Sequence, residues 1–282
     1  MSESGDYTPA AHWKGYDFAS AKRSYADNVV SRGSIDPVKI GLDKKSLVPA
    51  SLVSDAEANL VIGCDVTGSM GSWPGTIFSK LPYLEFEAKE YLGDSIGISF
   101  AAIGDGHHDQ YPLQVRPFVS GIDLKTSLEK LIIEGGGGGS SEESYDLAAA
   151  YYAYNVTFPK SIHKPIFIFI GDEGLYNYLD ENMLLEWSKH EMTQKMAVKE
   201  LFDKLKAKYS VYIIRKPYNC EANNPTPSET RIQNQWIDLL GAENVVSLPN
   251  ADRVVDVIFG ILAKETNRLK YFKEELTERQ MK

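Results

Sequence analysis

From Asn59 onward, short apolar runs alternate with stretches in which apolar residues recur every three or four positions. The first kind of run reads as buried strand, the second as amphipathic helix. "NLVIGC" (59–64) is the first strand, and Phe78, Leu81, Leu84, Ala88 and Leu92 then mark a helix face. Pro82 falls inside that face and predicts a kink or a fresh start, since proline has no amide to donate. "SIGISFAAI" (95–103) is a second strand. "LQVRPFV" (113–119) is a third; it follows a tight Gly-containing turn, which predicts antiparallel pairing, and Pro117 suits the sheet edge.

A helix through Leu124, Leu128 and Leu131 leads to "GGGGGSSEES" (135–144), and the next helix carries Tyr145, Leu147, Ala148, Tyr151 and Tyr152. "KPIFIFIGDEG" (164–174) contains the most apolar strand. Helical segments around "ENMLLEWSKH" and "AVKELFDKLKAKY" precede the strand "SVYIIR"; the helix "RIQNQWIDLLG" precedes the strand "NVVSL". A last helix starts near Ala251 and continues through Leu269, Phe272 and Leu276. This order predicts an α/β fold: a Rossmann-like, doubly wound, mostly parallel six-stranded sheet with one antiparallel edge strand.

Residues 1–57 break the rhythm, being polar and turn-rich with aromatic anchors at Trp13, Tyr16, Phe18 and Tyr25. They are expected to form an N-terminal extension packed on the domain, with residues 58–265 as the domain and 266–282 as a C-terminal helical extension.

Composition narrows the function. A formal charge of −9, from 30 Lys and Arg against 39 Asp and Glu, argues against a broad nucleic-acid surface. No charged leader followed by an apolar core opens the sequence, and no run of about 18 apolar residues occurs. A cytoplasmic protein without a membrane span is therefore expected. Cys64 in a strand and Cys220 in a loop do not make a disulfide framework, and the absence of a CxxC pair disfavours cysteine-bound zinc.

In a doubly wound sheet, ligands collect at the carboxyl ends of the parallel strands. Three polar breaks fall there: "DVTGSM" after the first strand, "GGGGGSSEES" before a helix, and "GDEG" after the strand 166–170. They supply Asp65, Thr67, Ser69, Ser140 or Ser141, and Asp172. Carboxylate and hydroxyl oxygens without His or Cys are what a hard divalent cation takes. Alternate spacing at Asp65, Thr67 and Ser69 turns three side chains towards one point when the loop curls, and Gly68 and Gly71 permit the curl.

D-x-T-x-S after the first strand, a Gly-rich segment opening a helix and an Asp after a later strand together resemble the metal-ion-dependent adhesion site of von Willebrand factor type A domains. The likeness covers roughly residues 58–265. It implies that Thr67 and Ser69 ligate the metal through their hydroxyls and that Asp65 and Asp172 act directly or through waters, with Ser140 favoured over Ser141 in the Gly-rich loop. The implied ion is Mg²⁺, with Mn²⁺ or Ca²⁺ as substitutes. A protein partner would then supply a Glu or Asp as the last ligand, and an AAA+ ATPase or a kinase is the partner class implied. "IGDGHHDQ" (103–110) is similar to a turn of intracellular type A domains. Its Asp105, His107, His108 and Asp109 read either as a polar hairpin turn or as a second metal site.

Other readings of the same residues are weaker. "DVTGSM" alone would serve as a helix N-cap. Asp65 after a strand also matches aspartyl phosphatases of the haloacid dehalogenase type, but Thr67 stands where their second acid belongs. No GK[ST] follows the glycines, so a Walker loop is rejected, and the glycines around Ser69 lack nucleophile-elbow spacing. The expectation is a Mg²⁺-dependent protein-interaction module rather than an enzyme, with a Mg²⁺-dependent phosphohydrolase or a scaffold with a vestigial site as alternatives.

Overall fold

The computed structural model describes residues 46–137, 139–218, 224–248 and 250–281. Trp13, Tyr16, Phe18, Tyr25 and Cys220 lie outside the described residues. The strands are β1 (Leu52–Val53), β2 (Ala58–Asp65), β3 (Ile96–Ile103), β4 (Leu113–Val115), β5 (Glu142–Glu143), β6 (Val156–Thr157), β7 (Ile166–Gly171), β8 (Gly174–Leu175), β9 (Ser210–Arg215) and β10 (Val245–Ser247). The helices are α1 (Trp73–Lys80), α2 (Leu84–Leu92), α3 (Asp123–Leu128), α4 (Tyr145–Tyr154), α5 (Glu181–Glu186), α6 (Val198–Lys208), α7 (Pro227–Leu240), α8 (Val254–Glu265) and α9 (Leu269–Met281).

The main sheet has six strands in the order β10-β9-β7-β2-β3-β4, parallel except for the β3–β4 pair. This is the mixed α/β, Rossmann-like arrangement that the apolar rhythm predicts. From β2 the chain winds one way through β3 and β4, then returns to β7 on the other side of β2 and continues outward. The β2–β7 junction is thus the switch point of the winding, where the carboxyl ends leave a crevice.

Both faces of the central strands are covered, which is why they read as continuous apolar runs. Every residue of β2 and β7 is buried. Leu60, Ile62, Cys64, Ile166, Ile168 and Ile170 pack with Phe78, Leu84, Ala88, Val254 and Ile258 from α1, α2 and α8. Val61, Phe167 and Phe169 point the other way, towards Leu147, Phe202 and Trp236 from α4, α6 and α7. Truncating a fully buried Phe such as Phe167 to Ala in a sandwiched core costs about 3–5 kcal/mol.

Several expected elements are shorter than the apolar pattern suggests: the helix through Leu131 stops at Leu128, the one around residues 181–190 stops at Glu186, and the last helix breaks after Glu265, with Asn267 at positive φ, before resuming at Leu269. The helix face from Phe78 to Leu92 is buried throughout, but α1 ends at Lys80 and a 3-10 turn over Leu81–Tyr83 carries Pro82 before α2 begins. The edge strand stops at Val115, and a single bridge joins Val119 to Ile98 beyond Pro117. Proline cannot donate to the ladder, so the pairing lapses there and resumes once.

Of the expected extension, residues 46–57 pack on the domain. Leu47 and Val48 are buried, the Val115 amide donates to the Leu47 carbonyl (2.8 Å), and β1 pairs with β6. At the other end, the Phe272 ring of α9 lies against α8, where a Cβ on Gly260 would touch it at 3.5 Å.

Candidate functional site

β2 delivers Asp65 to the switch point and β7 delivers Asp172. Asp65 is fully buried, and both of its oxygens accept hydrogen bonds. Oδ1 takes the Thr67 amide (2.9 Å) and the Thr67 hydroxyl (2.6 Å), while Oδ2 takes the Tyr145 hydroxyl (2.9 Å) from the first turn of α4. The chain of oxygens continues from Thr67 Oγ1 to Ser69 Oγ (3.3 Å), and Ser69 Oγ donates to Asp172 Oδ1 (2.9 Å). Asp172 Oδ2 meets the Lys216 ammonium at 2.7 Å, and the same ammonium donates to the Ser69 carbonyl at 2.5 Å.

Four of the five expected metal-site residues, Asp65, Thr67, Ser69 and Asp172, therefore converge in one contiguous network. The N-cap alternative does not describe these hydroxyls. Residues 68–70 form a 3-10 turn that Thr67 precedes without a side-chain cap bond, and the Ser69 hydroxyl reaches across to Asp172 instead.

Ser140 lies elsewhere. Its hydroxyl bonds the Glu142 carbonyl (3.2 Å) and the Tyr176 hydroxyl (3.4 Å), while the Ser141 hydroxyl accepts from Arg231. The backbone of the glycine run is what approaches the Asp65 loop: the Gly68 amide donates to the Gly136 carbonyl at 2.6 Å, and the Gly135 amide to the Val66 carbonyl at 3.0 Å. A Cβ on Gly136 would lie 1.9 Å from Asp109 Oδ1, so this close approach requires glycine.

Burial shapes the charges. Desolvation, reinforced by the charge of Asp172, pushes the Asp65 carboxyl up to about 8, against the two Thr67 hydrogen bonds that favour its ionised form. The β5–β8 pairing brings Glu143 beside Glu173. Glu143 is 2% exposed, one of its oxygens has no hydrogen-bond partner, and burial followed by the charge of Asp65 pushes its carboxyl far up.

The turn singled out as a hairpin or a second metal site ties the rim together. Asp105 is fully buried and accepts the His107 amide (2.9 Å), the Tyr176 hydroxyl (3.0 Å) and His108 Nδ1 (2.5 Å). Asp109 accepts the Asp105 amide and the Gly137 amide, both at 2.8 Å. His107 stands edge-on to Tyr176, at 4.7 Å between ring centres. Among the described residues no group of three or more His, Cys, Asp or Glu side chains is arranged to hold a metal. The set at the switch point is two carboxylates and two hydroxyls.

No protein-family model matches the chain, and no curated protein matches it in sequence. Solved structures do resemble it. The open conformation of SpaC, a pilus adhesin from Lactobacillus rhamnosus GG, superposes with a TM-score of 0.52 at 11% identity, over 78% of this chain and 31% of the adhesin's. Proximal thread matrix protein 1 from the mussel byssus gives a TM-score of 0.47 at 9% identity, over 78% of this chain and 47% of that one. The chain thus spans about a third of the adhesin's length, and the likeness is one of fold.

Three participants were not singled out as site residues by sequence reasoning. Lys216 follows the strand "SVYIIR", so its place at a carboxyl strand end was a readable signal. Tyr145 was expected only as a position on the helix after the glycine run; its ring packs edge-on to Trp236 (5.0 Å), and its hydroxyl is spent on Asp65. Arg215 is 3% exposed and holds Glu229 (2.7 Å), Gln233 (2.7 Å) and the Asp172 carbonyl (2.9 Å), bracing the Asp172 loop against α7.

The donor set fits a hard divalent cation. Asp65, Thr67, Ser69 and Asp172 present only oxygens, and the Lys216 ammonium already sits as a positive charge on two oxygens of that group. Ser69 is exposed, so the network opens to solvent on one side.

Proposed function

We propose that this chain is a Mg²⁺-dependent protein-interaction module of the von Willebrand factor type A kind, binding an acidic side chain of a partner protein. The observation that carries the reading is the continuous oxygen network Asp65–Thr67–Ser69–Asp172 at the switch point, capped by a cation of the protein's own. Thr67, Ser69 and Asp172 hold the ion, Asp65 orients the Thr67 hydroxyl, and the exposed side at Ser69 leaves room for the partner. Bound Mg²⁺ supplies an electrophilic position that a Glu or Asp carboxylate completes. Mn²⁺ or Ca²⁺ are the natural substitutes. An AAA+ ATPase or a kinase is the partner class proposed, in the cytoplasm. Among the described residues no helix is long and apolar enough to cross a membrane.

A binding role is favoured over a phosphohydrolase by the state of Asp65. Both of its oxygens are buried and already accept from Thr67 and Tyr145, which leaves no exposed lone pair aimed at a substrate.

Titration calorimetry with MgCl₂ and MnCl₂ tests the reading on the wild type, Asp65→Ala and Thr67→Ala. The expected result is a saturable heat in the wild type that both variants lose while remaining folded by circular dichroism. Equal binding in all three proteins sinks the assignment. Turnover of a generic phosphate ester, abolished by Asp65→Ala, would move the chain to the enzyme class.

A further inference from the structure

Lys216 occupies an unusual place for a lysine. Its amide donates to the Gly171 carbonyl (3.0 Å), which fixes its backbone beside the end of β7 and sends the side chain over Asp172. The ammonium rests on Asp172 Oδ2 and the Ser69 carbonyl, 5.8 Å from the centre of the Trp73 ring, with its side chain 18% exposed. It therefore bridges two of the segments that form the candidate metal site: the Asp172 loop and the 3-10 turn after Asp65.

Resting on the metal reading above, we propose that Lys216 is a tethered internal cation that competes with the divalent ion for this site. Asp172 is almost fully buried, with one oxygen on Ser69 and the other on the ammonium. Leaving such a carboxylate without a counter-charge is costly, so the metal-free protein closes the site with its own lysine. A lysine suits the task because it is a compact point charge on a flexible stem with three donors, able to leave as a unit. A divalent ion on the same oxygens repels the ammonium at contact distance, and the stem has solvent on one side to swing into. Loading and latch release are then one event. The site fills only when the ion is plentiful enough to displace the lysine, and the partner-binding face is covered until it does.

The test uses the full chain, Lys216→Met, which keeps the stem length without the charge, and Lys216→Arg, which keeps the charge. Calorimetry with MgCl₂ is expected to show Lys216→Met binding about tenfold or more tightly than wild type, the value of a charge-assisted contact removed from the competitor, and Lys216→Arg binding no more tightly than wild type. Binding in Lys216→Met alone, with the wild type silent, also supports the latch. Acetylation of the wild type, followed by peptide mass spectrometry, gives a second readout that needs no variant to fold. Lys216 is expected to be slow to react without metal and several-fold faster in saturating MgCl₂, with the exposed Lys199 unchanged. Equal affinity of wild type and Lys216→Met, or Lys216 reactivity that does not change on saturation, overturns the latch and leaves the metal reading intact. Absence of binding in the wild type and in Lys216→Met overturns both.

Discussion

Gly171→Ala probes the support of the site without replacing a proposed ligand. Gly171 closes β7, and a Cβ there would lie 1.8 Å from the Tyr145 hydroxyl oxygen, 2.9 Å from Tyr145 Cζ and 3.1 Å from Asp65 Cβ. The Tyr145 ring cannot slide aside, because it is fully buried and edge-on to both Phe169 (5.8 Å) and Trp236 (5.0 Å). Overpacking of this kind costs about 1–3 kcal/mol. Driving the hydroxyl off Asp65 Oδ2 leaves a buried acceptor without its donor, a cost of about 1–3 kcal/mol. The single substitution should therefore cost on the order of 3–5 kcal/mol. Tyr145→Phe removes only the hydrogen bond and should cost about 1–3 kcal/mol. In the double variant the missing hydroxyl makes room for the methyl and the hydrogen bond is lost only once, so the combined cost falls short of the sum by about as much as Gly171→Ala costs alone, on the order of 3–5 kcal/mol. Urea denaturation in EDTA, with m unchanged across the cycle, measures all three without a contribution from bound metal. Additive costs, or a Gly171→Ala protein within about 0.5 kcal/mol of wild type, would refute the argument that this glycine keeps Tyr145 on Asp65.

Two further perturbations read other parts of the frame. Burial pushes the Asp146 carboxyl from 3.8 up to about 7, against hydrogen bonds from its own amide and that of Leu147, and one of its oxygens has no partner. A raised folded-state value means this group favours the fold below about pH 4 and loses that contribution as pH rises to 7, on the order of 4 kcal/mol in all. Asp146→Asn should flatten the stability profile between those limits and raise stability at pH 8; an unchanged slope in urea titrations run across that range contradicts the burial argument. Arg215→Met strands Glu229 without its ion pair and should cost about 3–5 kcal/mol, whereas the paired change Arg215→Met with Glu229→Met should recover most of it; chemical denaturation of the two variants decides.

Much of the fold was legible in the sequence because each central strand is covered on both faces and each helix on one, so burial wrote itself into the spacing of apolar residues. All six strands of the main sheet were found this way, and so was the antiparallel edge. Two of the misjudged lengths have a local cause. Apolar side chains at Leu81 and Val119 continue the pattern, but Pro82 and Pro117 remove the amide that would continue the hydrogen bonding.

Asp65, Thr67, Ser69 and Asp172 were legible because polar residues at a carboxyl strand end break an apolar run for no packing reason. Their places at strand ends and their oxygen chemistry put them on a short list, to which the alternate spacing of Asp65, Thr67 and Ser69 added convergence. Which oxygens meet was decided by tertiary structure, since contacts between residues more than a hundred positions apart, such as Ser69 with Asp172 and with Lys216, depend on strand order. The same holds for the glycine run. Its composition predicted a loop near the site, but only the packing showed that it comes in through its backbone while Ser140 turns to Tyr176 and Glu143 is buried against Glu173. Local sequence determined the elements and the chemical types at their ends; the winding of the sheet decided which of those ends share a charge.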